Sequence, residues 1–81
     1  MSDNTKIEYD VLLDAIEDKC PMPLLKTKLA LAKMQSLQTL CVLSSDEGSL
    51  KDIPYYLSIV GIPLLSQKVE NSIYYFIIQK P

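Results

Sequence analysis

The closing segment IYYFIIQK, residues 73–80, is apolar on both of the faces that an extended chain presents. Side chains alternate along a strand, so Ile73, Tyr75 and Ile77 point one way and Tyr74, Phe76 and Ile78 the other. A strand with apolar residues on both sides belongs in the interior of a sheet. Exposed, it would be the segment most prone to aggregate, and Lys80 and Pro81 follow it as gatekeepers.

In a chain of 81 residues there is room for one domain and one small core. Residues 1–81 are therefore taken as a single domain, with residues 1–7 a polar lead expected to fray. A hydrophobic content of 48% against 22% charged suits a globular protein rather than a disordered tail. Residues 62–70 form the other arm of an antiparallel hairpin that turns at Asn71 and Ser72. Upstream, residues 8–15 carry Val11, Leu12 and Leu13 and suggest a strand; TLCVLSS, residues 39–45, is a short buried one.

Between them, residues 21–35 follow a helical period, with a stripe of Leu25, Leu29 and Ala32 widened by Leu24 and Leu31. Residues 46–61 read as a turn and a helix, with Ser49 as N-cap, Asp52 at N3 and Gly61 as a left-handed C-cap. Pro54 is expected to kink or delay that helix. The order β-α-β-α-β-β, with right-handed crossovers, gives an α/β two-layer sandwich: two helices on one face of a four-stranded mixed sheet.

Histidine is absent. That removes Cys–His and Ser–His nucleophile pairs and every histidine metal site, so no metal is expected. All eight basic residues are lysine and the net charge is −2, which is not the electrostatic footprint of a nucleic-acid binder. MSDNTKIEYD has no apolar run of the signal-peptide kind, and no stretch reaches the length of a membrane span. The expectation is a cytoplasmic protein whose thiols stay reduced, without membrane or direct nucleic-acid contact. Its two cysteines are too few for a disulfide framework. Cys41 lies in an apolar strand and is assigned to packing, whereas Cys20 sits in a polar loop beside Lys19.

Cys20 opens the string CPMP, residues 20–23. Either Cys20 caps the helix with Pro21 at N1, or Met22 caps it with Pro23 at N1. Because residues before proline avoid the α region, the second reading is preferred, with Cys20 just ahead of the helix. Both put the sulfur at the positive end of a helix, where the thiolate is favoured and the thiol pKa should fall. Lys28, eight residues on, has nearly the same azimuth as Cys20, and its side chain is expected to reach back toward the sulfur. The residues alone leave two readings open: a rigidly presented reactive thiol, or a proline-started helix with an incidental cysteine and solvated lysines.

The CPxP string of Cys20, Pro21 and Pro23, followed by Lys28, resembles the TusA/SirA-like sulfur carrier (sulfurtransferase) family. The likeness runs from about Tyr9 to Lys80 and includes DEGSLKDIP, in which Asp46, Lys51, Asp52, Ile53 and Pro54 match a second family segment. The resemblance implies that Cys20 accepts sulfur as a persulfide from a cysteine desulfurase or a rhodanese-type donor and relays it to a downstream acceptor protein. Pro21 and Pro23 would shape the loop; Lys28, Lys26, Asp46 and Lys51 would give electrostatic support or partner contacts. Such exchange needs an exposed thiolate and no cofactor. The chain departs from many relatives in having Met22 between the prolines and lysine rather than arginine at position 28.

The destination implied first is 2-thiouridine formation in tRNA; other pathways open to the family are molybdenum cofactor supply, thiosulfate use and sulfur oxidation. A monomer is expected. An RNA-binding module and a non-catalytic regulatory domain are the competing readings, and net negative charge with no GXXG or RNP-like motif speaks against the former.

Overall fold

The computed structural model describes residues 9–81. The polar lead, and Glu8 at the head of the expected first strand, lie outside the described residues. The elements are β1 (Val11–Ala15), α1 (Met22–Lys33), β2 (Thr39–Ser44), α2 (Ser49–Val60), β3 (Leu64–Glu70) and β4 (Ile73–Gln79). The sheet order is β1-β2-β4-β3. β1 and β2 are parallel, and β4 runs antiparallel to β2 on one side and β3 on the other. The two-faced apolar strand is thus interior, as its composition requires. Asn71 and Ser72 both have positive φ, 53° and 64°, as a two-residue primed turn demands.

The register pairs Leu40 with Ile78 and Val42 with Phe76, placing them on one face. Leu31 and Met34 of α1 and Ile53 and Leu57 of α2 join the same cluster, so both helices cover that face. Cys41 and Ile77 lie on the opposite face and are also buried. Burial pushes the Cys41 thiol pKa up, with Lys68 opposing. Among the described residues no helix is long and apolar enough to cross a membrane.

α1 is rotated from the expected stripe. Its buried residues are Pro23, Thr27 and Leu31, whereas Leu25 and Leu29 are 43% and 63% exposed and Ala32 is also exposed. Leucines on several sides of this helix left hydrophobicity unable to choose a face. Thr27, a polar residue at the contact, is satisfied within the helix by donating its hydroxyl to Pro23 O at 2.8 Å. That frees it for complete burial, and its small size admits the sheet. At the far end, Lys80 Nζ donates to Leu31 O at 2.6 Å, giving the helix C-terminus a cation.

α2 begins at Ser49 without delay, and Pro54 lies inside it. Ser49 is not its cap. Its hydroxyl is buried and pairs with Ser44 Oγ at 2.8 Å. The N-cap is Gly48, and no side chain caps the helix; Asp46 fixes the turn before it, its Oδ2 accepting the Gly48 N–H at 3.0 Å while its carbonyl accepts the Ser49 N–H. Gly61 closes the helix at φ 75°, the left-handed position expected of it.

Candidate functional site

Because β1 and β2 are parallel, α1 and α2 both start from the same edge of the sheet, where crevices of open α/β sheets form. Two loops meet there, residues 16–21 and 45–48. The Ser45 hydroxyl donates to Ile16 O and ties them together. Lys26 Nζ closes onto Asp18 Oδ2 at 2.6 Å and holds the first loop against α1.

Cys20 stands at this junction, exposed, one residue ahead of the N-cap of α1. The cap is Pro21 rather than Cys20 or Met22, because the Leu25 N–H bonds to Pro21 O and the helix already includes Met22. Pro23 is fully buried under the helix start. One proline therefore sets the entry angle and the other anchors it. The sulfur is in solvent, so the requirement for an accessible thiol is met.

Its electrostatic surroundings differ from expectation. Cys20 Sγ donates its hydrogen to Asp52 Oδ2 at 2.9 Å, across from α2. That hydrogen bond, with smaller contributions from desolvation and from the charges of Asp52 and Asp46, raises the Cys20 pKa rather than lowering it. The order of effects is physical. A helix start offers about half a positive charge spread over its first turn, whereas a full carboxylate charge touches the sulfur. The lysines do not offset it. Lys26 is held by Asp18, and Lys28, instead of reaching back to Cys20, lies over the Tyr56 ring at 4.8 Å from its centroid, linking α1 to α2. Lys51 is exposed in the first turn of α2.

Of the expected residues, the fold brings Asp46 to Cys20, and it adds two that sequence reasoning did not place in the site, Asp52 and Gly48. Asp52 was visible as a capping-box residue and as part of the second family segment, without a role beside the sulfur. Gly48 has φ −59° and ψ −28°, a conformation open to any residue, so glycine is there for space. A Cβ at position 48 would lie 2.8 Å from Asp46 Oδ2 and 3.3 Å from Cys20 Sγ. Gly48→Val should therefore slow iodoacetamide alkylation of Cys20 about tenfold, the effect of roughly 1.4 kcal/mol on a barrier. Gly48→Ala should slow it less. An unchanged rate in the valine variant would show that the approach is not tight in solution. Among the described residues no group of three His, Cys, Asp or Glu side chains is placed to hold a metal ion.

The profile of the family described as Sulfurtransferase TusA matches residues 11–80. The chain is 37% identical to the sulfur carrier protein TusA of Allochromatium vinosum over 73 residues, covering 90% of this chain and 96% of that one. It is 39% identical to a putative sulfur carrier protein, YrkI, of Bacillus subtilis over 74 residues, 91% and 99% of the two chains. The crystal structure of a SirA-like protein from Desulfitobacterium hafniense shares the fold, with a TM-score of 0.78 over 86% of this chain and 96% of that one, at 21% identity. With the match spanning both helices and all four strands, the chain belongs to the TusA sulfurtransferase family.

Proposed function

We propose that this protein carries sulfur as a persulfide on Cys20, receiving it from a cysteine desulfurase or rhodanese-type donor and passing it to an acceptor protein, with 2-thiouridine formation in tRNA as the destination. The observation that carries the reading is the exposed Cys20 sulfur at the junction of the two helix starts, beside Asp52 and with Gly48 leaving it clear. Transfer between thiols requires a nucleophilic sulfur open to a partner's cysteine and no other cofactor. Cys41, buried in the sheet, offers no such access.

The Cys20 thiolate attacks the terminal sulfur of the donor persulfide, R–S–SH. A bond forms from Sγ to that sulfur, the donor S–S bond breaks, and the donor leaves as a thiolate that takes up a proton. The Cys20 sulfur supplies an electron pair and the donor sulfur recovers one, so no external oxidant is needed. Discharge repeats the step with the acceptor thiolate attacking the carried sulfur. Pro21 and Pro23 keep Sγ in place through both encounters, and Asp46 holds the neighbouring loop. Lys28 and Lys51 are assigned to the partner-facing surface, with Lys26 bracing the loop through Asp18.

Deleting the gene and measuring tRNA nucleosides tests the destination. Loss of 2-thiouridine is the expected result, restored by the wild-type protein and not by Cys20→Ser. An unchanged level would assign the carrier to another sulfur pathway.

A further inference from the structure

Asp52 has no part in the family's signature chemistry as described above, yet it is the hydrogen-bond partner of the sulfur, at 2.9 Å. It projects from the first turn of α2, whose start is held by Asp46, by the Ser44–Ser49 hydroxyl pair and by burial of Ile53. The carboxylate is thus delivered to Sγ by a rigid element rather than by a mobile loop. The charged groups facing the sulfur are Asp52 from α2 and Asp46 from the loop before it, both negative. From α1, Lys26 and Lys28 are turned to other partners.

This geometry treats the empty and loaded carrier differently. In the empty form Sγ bears a hydrogen and donates it to Asp52. In the loaded form Sγ is bonded to Cβ and to the second sulfur, which lies one bond of about 2.05 Å further out. Sγ then has no hydrogen to donate, and its lone pairs face a carboxylate.

We propose that Asp52 is a brake on loading and a driver of discharge: it stabilises the empty thiol through a hydrogen bond that the loaded sulfur cannot make at the same atom. The proposal rests on Cys20 being the carrier. The bonds made and broken are those of the transfer step above. On loading, the proton leaves Sγ, its hydrogen bond to Asp52 is lost, and the departing donor thiolate takes up a proton; on discharge, Cys20 leaves as a thiolate, takes a proton and regains its partner. Asp52 therefore favours onward transfer at the expense of storage, as suits a relay.

Two measurements on the full chain test this. In the first, iodoacetamide alkylation of Cys20 is followed by mass spectrometry across the pH range. Removing the carboxylate in Asp52→Asn should move the midpoint to lower pH. Each unit of movement should raise the neutral-pH rate about threefold, since the tenfold gain in thiolate is partly cancelled by its weaker nucleophilicity. Asp52→Glu, which retains the charge, should lie closer to wild type, and Asp52→Ser provides a second neutral replacement. In the second, carriers loaded with sulfane sulfur are equilibrated with glutathione. Asp52→Asn should retain severalfold more sulfur than wild type.

A midpoint that stays put or rises in both neutral variants overturns the proposal, as does an unchanged partition. Neither result touches the carrier reading, because alkylation needs no sulfane and an unchanged partition is read on carriers that have taken sulfane up. Conversely, if no form of the protein takes up sulfane at Cys20, it is the carrier reading that fails.

Discussion

Cys20→Ser is expected to abolish sulfur loading while leaving the fold and its melting temperature essentially unchanged. The serine hydroxyl is isosteric enough to keep donating to Asp52 Oδ2, and the position is exposed, where substitutions usually shift stability by no more than about 0.5 kcal/mol. What is lost is the sulfur–sulfur bond, for which oxygen has no equivalent, so the loss should be complete rather than graded. Cys41→Ser should behave in the opposite way. It puts a hydroxyl into a buried site on the sheet, at a cost of about 1–3 kcal/mol, and leaves loading intact. Single-turnover loading and thermal melts of both variants separate the two roles. Residual loading in Cys20→Ser would place the carrier elsewhere.

Phe76→Ala is expected to cost about 3–5 kcal/mol, the usual penalty for emptying a buried phenylalanine site. Phe76 is completely buried at the middle of the interior strand, paired with Val42 on the helix-covered face. For a domain of this size total stability is on the order of 4–12 kcal/mol, so the variant should be partly unfolded at 37 °C. Urea denaturation followed by circular dichroism checks this. A change below about 1 kcal/mol would mean that the neighbours collapse into the space, which the rigid sheet on one side and two packed helices on the other oppose.

The element order was legible because each boundary carried a local signal: Gly61 with its positive φ, the Asn71–Ser72 turn, and the two-faced apolar strand that had to be interior. The face of α1 was not, because its leucines are spread around the helix and the decision fell to Thr27, whose burial depends on a hydroxyl bond to Pro23. The site was half legible. Cys20, Pro21 and Pro23 are contiguous and their roles follow from proline geometry and exposure. The partners of the sulfur are not contiguous. Asp52 is 32 residues away in sequence, and only the packing of α2 beside the start of α1 brings its carboxylate to Sγ. The same packing reverses the expected sign of the thiol shift. Counting charges along one helix could not reveal a carboxylate arriving from the other, nor an aromatic ring on α2 that occupies Lys28.

The most direct measurement is peptide mapping by mass spectrometry after incubating the protein with a cysteine desulfurase and cysteine, without reductant. A single added sulfur atom is expected on the peptide bearing Cys20, removed by dithiothreitol. Sulfur found on Cys41 instead, or a protein that stays unmodified while the desulfurase turns over, would contradict it.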